Sequence, residues 1–283
     1  MKAKDDPALA TLEPADWPDS GRRRRSIWAA VWPGLSAIAL VLVIWEAVVL
    51  TGWKPEYVLP PPTTVLAELG GFLLDSKFWL AVSITLLRAL VGFSLALAIG
   101  TGLGIAVSAS RVLRAALGSL LTGMQTMPSI AWFPFAILLF GLTENAIGFV
   151  VVLGAAPSIA NGLISGIDNV PPPLLRTAKV LGARGLTLYR YVILPSALPT
   201  YVAGLKQGWA FAWRSLMAGE LLVIIANRPS LGVQLQYFRE FANAPALIAM
   251  MIVILVLGMA FDAVFSRLAA VVRRNRGLGE TRL

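Results

Sequence analysis

A chain of 283 residues that is 57% hydrophobic and 14% charged, with a mean hydropathy of +0.75, is too apolar for a soluble domain of that length, so most of it faces lipid or other apolar helices. It has no cysteine, which excludes a disulfide framework, a thiolate metal site and a cysteine nucleophile, and no histidine, which removes the commonest general base and metal ligand. The formal charge of +9 is no nucleic-acid signature here, because the basic residues lie mainly in short loops and tails, where they set orientation in a bilayer.

Residues 1–26 are polar and end in Arg22 to Arg25, which reads as a disordered cytoplasmic tail with a topogenic charge cluster. The apolar run over 27–50 is too long for the core of a cleaved signal peptide and predicts an uncleaved first span. In the connection that follows, Pro60 to Pro62 open an amphipathic helix with Val65, Leu66, Leu69 and Phe72 on one apolar face, expected on the outer membrane surface. A second span covers about 80–108, with Arg88 inside it, and Arg111 and Arg114 mark a loop. The third, about 115–142, is broken by Pro128 and Pro134; Glu144-Asn145 marks a tight turn, and the fourth covers 146–167.

The longest polar interruption of the second half is 171–200. Asp168 or Asn169 is placed to cap a helix whose first turn is Pro171 to Pro173. That helix has Leu174, Leu175, Ala178 and Leu181 on one side, Arg176 and Lys179 on the other, and Gly182 to end it in the left-handed conformation. A second short helix over 186–192 runs into Leu194-Pro195, so two short helices joined at a glycine form a knob where a partner is met. The fifth span covers 201–225, a polar loop 227–244 contains helical spacing over 234–241, and the sixth span covers 245–268 before a basic tail with Arg273, Arg274, Arg276 and Arg282. Glycines four apart at Gly100–Gly104, Gly162–Gly166 and Gly204–Gly208 indicate close helix packing, with a subunit interface left open for any one pair.

Six spans place both termini on one side. The segments on that side hold seventeen Lys and Arg and the opposite segments four, so the termini and the 171–200 loop are expected in the cytoplasm. No Gly-Lys dipeptide occurs, so the chain has no Walker A loop, and if ATP drives it another polypeptide binds the nucleotide. With no metal-ligand cluster and no nucleophile–base pair, the chain reads as not an enzyme in itself, with no catalytic residues, cofactor or metal.

Ionisable residues inside spans cost at least about 2.5–3.5 kcal/mol against lipid, so each needs a partner or water. Glu46 and Lys206 lie close enough to span ends to snorkel, and Asp262 has Arg267 or the headgroup region to neutralise it. Arg88, Arg214 and Glu220 are the candidates for a translocation pathway, with structural pairing as the alternative for each. Arg214 and Glu220 stand six residues apart, about 240° around an ideal helix, so they form no i,i+4 pair, and each needs a partner elsewhere. Trp213 and Met217 read as ordinary packing.

On these residues the chain resembles the permeases of ATP-binding-cassette importers, whose cytoplasmic loop has the form Glu-Ala-Ala, three residues, Gly, nine residues, Ile, any residue, Leu-Pro. Ala178, Gly182, Val192, Leu194 and Pro195 fall on that spacing, with Val192 for the Ile, while Arg176 and Thr177 replace the Glu and the first Ala. The stretch from about 83 to 270 is similar to the alkanesulfonate, taurine and nitrate permeases, and 204–220 points to the sulfonate branch. The resemblance implies an all-α, six-span permease of the bacterial cytoplasmic membrane carrying a small organic anion, an aliphatic sulfonate first, with nitrate or taurine as the alternatives. It also implies a homodimer, two ATPase subunits docked on the coupling loop at 169–198, and an external solute-binding protein. The expected organisation is a tail at 1–26, the first helix and outer segment at 27–82, a core permease domain at 83–272 and a basic tail at 273–283. An ion-gradient transporter and a membrane-embedded enzyme are the competing readings; the first lacks a histidine relay and the second a catalytic constellation.

Overall fold

A computed structural model describes residues 27–275, and every regular element among them is helical. The tail at 1–26, with Arg22 to Arg25, and the end of the basic tail, with Arg276 and Arg282, lie outside the described residues. The chain divides into two compact units, Met1–Trp53 and Lys54–Leu283. The first contains α1 (Ile27–Leu50), a 24-residue helix about 36 Å long. Its side chains from Trp32 onward are exposed or half-exposed, as an apolar span requires of a helix that meets lipid.

The second unit is built around α6 (Glu144–Asp168), which lies between α3 (Ser76–Ala109) and α9 (Leu194–Leu222). Small residues on all three helices allow this approach. A methyl group on Gly100 would lie 2.6 Å from the Ala156 carbonyl oxygen, one on Gly162 2.6 Å from the Gly204 Cα, and one on Gly208 2.7 Å from Ile159 Cγ1. Each of the three glycine pairs therefore packs within the bundle; Gly104 meets Ala160 and Leu163, and Gly166 meets Ala197. Around them Phe93, Phe133, Ile147, Val150, Ile159, Trp209 and Leu216 form the main core. Trp209 stacks on Phe261 with centroids 4.6 Å apart and meets the edge of Phe93 at 5.2 Å.

A second core joins α2 (Pro62–Leu74), α3, α10 (Leu231–Glu240) and α11 (Ala244–Asn275) through Phe78, Val82, Leu231 and Met250. Phe72 stacks between Phe78 and Phe238, at 5.7 and 5.6 Å. These contacts place α2 with the second unit, not with the first helix as the expected 27–82 grouping had it. Of its expected apolar face Val65 is buried and Leu69 and Phe72 pack inward, while Leu66 is exposed, because the helix meets its neighbours along a narrower stripe.

The count of six spans is not reproduced by length and apolarity among the described residues. Four helices qualify: α1 from Trp32, α3, α6 and α11 to Arg274. The expected third span is instead α4 (Arg111–Thr126) followed by a 3-10 turn and α5 (Phe133–Phe140), bent by 106° at the break. The physical cause is Met127-Pro128, whose extended backbone (φ −78°, ψ 128° and φ −57°, ψ 127°) stops the helix. At 29 residues α9 is long enough to cross, but Lys206, Gln207, Arg214 and Glu220 lower its apolarity.

Candidate functional site

Three features of the second unit bear on function. The first is the knob. α7 (Pro172–Val180) ends at Gly182, whose φ of +86° confirms the expected left-handed turn. Ala183 N–H donates to the Ala178 carbonyl at 2.9 Å and Gly182 N–H to that of Lys179 at 3.1 Å, the paired bonds of a Schellman ending. Neither Asp168 nor Asn169 caps α7. Asp168 accepts from Arg114 at 2.6 Å, tying α4 to α6, and the Asn169 amide donates to the Ser165 carbonyl. The expected second short helix is not separate: α8 (Gly185–Leu188) continues through a π turn over Tyr189–Ile193 into α9, past Leu194 and Pro195.

Ala178 and Ile193 anchor the knob, and Val192 and Pro195 are half-buried behind it. Arg176, Thr177, Leu181 and Gly182 are exposed. Val180, Leu181, Leu186 and Tyr191 are 86%, 81%, 82% and 70% exposed, an apolar surface flanked by cations.

The second feature is a partly buried charge cluster. Arg88 on α3 donates from Nε and Nη2 to the two carboxylate oxygens of Glu144, at 2.8 and 2.7 Å, and from Nη1 to Glu220 Oε1 at 2.9 Å. Glu220, fully buried on α9, also accepts from the Thr85 hydroxyl at 3.0 Å and from the Gly232 N–H at 3.0 Å. Thr85 Oγ1 in turn accepts from the Leu231 N–H, so two of the four free N–H groups of α10's first turn end on this cluster. Glu144, read in the sequence as a turn residue, opens α6 and faces a cavity of about 530 Å3 that Arg88 and Arg228 also line. Thr85 and Glu144 escaped sequence reasoning; the available signal was that Thr85 sits three residues before Arg88, on one helix face.

The third feature is Arg214. It forms no pair with Glu220, since Glu220 points into the bundle while Arg214 is exposed. Arg214 Nε donates to the Ala210 carbonyl at 3.0 Å, and its guanidinium lies 4.7 Å from the Phe211 ring centroid. No carboxylate among the described residues forms an ion pair with it. It borders a groove of about 1000 Å3 between α9 and α11, which Trp213 and Met217 line while also packing on the core. Lys206 does not simply snorkel: it pairs with Asp262 at 3.2 Å and donates to Ser266 at 2.8 Å, so Asp262 is neutralised from α9 and not by Arg267.

An all-helical unit with several bilayer-length apolar helices and a broken span defines an integral membrane protein. The chain belongs to the family described as binding-protein-dependent transport system inner membrane component, whose model matches residues 92–274. It is similar to the taurine transport system permease protein TauC of Escherichia coli, 28% identical over 84% of this chain and 90% of that one. The aliphatic sulfonates transport permease protein SsuC of Bacillus subtilis is 28% identical over 85% of each. The riboflavin transport system permease protein RibX of Chloroflexus aurantiacus is 31% identical over 79% of this chain and 83% of its own. Among solved structures, a chain of the inward-facing MetNI methionine ABC transporter shares the fold, with a TM-score of 0.58 and 22% identity over 69% of this chain and 96% of that one.

Proposed function

We propose that the chain is the membrane-spanning subunit of an ATP-driven importer of small organic anions bearing a sulfonate group. The observation that carries this reading is the exposed apolar knob on the Gly182 turn, in a permease-family chain that has no Gly-Lys pair of its own to bind nucleotide. Two ATPase subunits dock on the knobs of two copies of this chain, and an external binding protein delivers the solute. The knob and both termini then lie in the cytoplasm of a bacterial cell, a placement that the charge asymmetry supports.

The relatives named for taurine and for aliphatic sulfonates support the solute class, because both solutes carry the same –SO3⁻ group. The riboflavin relative shows that related permeases serve quite different solutes, so the selection rests on this chain's own residues and its binding protein. Of the three pathway candidates, Arg88 and Glu220 serve structure in this reading, since they pair with each other and Glu220 anchors α10; Arg214 is the one left to meet the solute.

Gly182→Val tests the docking surface. No neighbouring atom opposes a side chain there, so the whole effect is the strain of a β-branched residue at φ +86°, about 1–3 kcal/mol. The expected result is a several-fold fall in ATPase co-purified with the full-length permease, with Gly182→Asn affected less. Wild-type co-purification and uptake by the valine variant would remove the knob from the coupling role. The purified chain is also expected to bind no nucleotide, and stoichiometric ATP binding in calorimetry, free of partner subunits, contradicts the reading.

A further inference from the structure

We propose that the pocket where the broken span meets Arg214 is a solute site inside the permease, built for an oxyanion with a short apolar tail. It rests on the importer reading and locates the solute contact within it. The pocket, about 410 Å3, lies between the α4–α5 break and α9. Gln125, Thr126 and Ser129 supply its polar side from the break, Arg214 its charge, and Phe211 and Ala218 its apolar wall.

Two independent features converge there. Arg214 stands eight residues before the end of α9, about 12 Å from it, with Nε committed to the Ala210 carbonyl and its two terminal amino groups without an acceptor among the described residues. Non-helical backbone at membrane depth is tolerated only when buried in protein or lining water, and here Met127 and Ile130 at the break are 41% and 53% exposed. A water-filled cavity satisfies the guanidinium and the open backbone together. The outward face of α9 agrees, because Ala203, Gln207 and Arg214 lie along one exposed stripe that suits water and not lipid.

The geometry also defines what binds. With Nε fixed and the plane held over Phe211, the guanidinium presents both Nη groups as a fork that matches two oxygens of a sulfonate or another oxyanion. The Ser129 hydroxyl and the second N–H of the Gln125 amide, whose first goes to the Leu121 carbonyl, offer hydrogen bonds to the remaining oxygen, while the Thr126 hydroxyl already donates to the Gly123 carbonyl. Phe211 and Ala218 accept a short alkyl tail.

The test uses the full-length chain in nanodiscs, with 1-butanesulfonate titrated by saturation-transfer NMR and 1-butanol and butylammonium as controls. Only the sulfonate is expected to bind. Arg214→Gln should weaken it about tenfold or more, with Arg214→Lys between, because Lys keeps the charge without the fork. Ala218→Leu, which fills the pocket and leaves Arg214 in place, should weaken it with an unchanged melting temperature. No sulfonate binding by the wild type, or equal binding by Arg214→Gln, overturns the site.

An anionic lipid headgroup has the same oxyanion chemistry. Nanodiscs with and without phosphatidylglycerol separate the two sources: a solute site is insensitive to it, whereas competition by the lipid overturns the proposal. Loss of the assembled complex by both Arg214→Gln and Arg214→Lys assigns the residue to an interface between copies, and overturns it too. If the intact transporter imports no sulfonate yet nitrate binds in an Arg214-dependent way, the solute reading fails and the site stands.

Discussion

Replacing Glu220 by alanine is expected to destabilise the permease by about 1–3 kcal/mol, the cost of leaving buried donors without their acceptor, because Arg88 keeps its paired bonds to Glu144. Glu220 is completely buried, and each of its neighbours in the cluster is a donor: the Arg88 guanidinium, the Thr85 hydroxyl and the Gly232 N–H. Alanine leaves all of these facing one another. Glutamine keeps the shape but brings an amide N–H₂ against a ring of donors, so Glu220→Gln is expected to recover only part of the loss. Because Thr85 and Glu220 hold the Leu231 and Gly232 N–H groups, the damage should spread to α10, seen as faster amide exchange over its first turn. Gly232→Ala should have a related effect by another route, since a methyl group there collides with the Glu220 Cβ. Thermal melts of the full-length protein in detergent report these losses. A melting temperature for Glu220→Gln equal to wild type would show that the charge is not what the cluster depends on.

Much of this architecture was legible locally. The apolar runs marked α1, α3, α6 and α11 because hydropathy and length alone decide whether a helix suits a bilayer. Gly182 was legible as a left-handed terminator because that requirement is set by one residue's backbone. The 240° separation of Arg214 and Glu220 already implied different faces, and the structure has one exposed and the other buried. What the sequence does not contain is the partner of a buried charge. Arg88 and Glu220 are 132 positions apart, and only the packing of α3, α6 and α9 brings them together. The prolines at 128 and 134 signalled a break without its angle, because the 106° bend follows from the backbone dihedrals taken up at Met127 and Pro128, which composition does not fix. Leu66 is exposed for a packing reason: periodicity gives the side of a helix, and its neighbours decide how wide a stripe is covered.

Gly162→Val is expected to prevent stable folding, and Gly162→Ala to cost about 1–3 kcal/mol, because α6 and α9 meet with no room for a Cβ. A methyl group on Gly162 would stand 2.6 Å from the Gly204 Cα, and one on Gly204 the same distance from the Gly162 Cα. The obstacle on both sides is backbone, which cannot rotate away as a side-chain tip does. Separation of the helices would also disturb Gly166 against Ala197 and Gly208 against Ile159 along the same seam. Gly148 on α6 supplies the control, since nothing lies within 4 Å of a methyl group placed there. Alanine at 148 should be neutral or stabilise by up to about 1 kcal/mol, through its better helix propensity. The two alanine variants therefore differ in sign, although both make the same chemical change on one helix. Melting temperatures of Gly162→Ala and Gly148→Ala that coincide would mean the α6–α9 crossing is looser than the structure has it. A valine variant at 162 that assembles at wild-type yield would move the centre of the bundle away from this contact altogether.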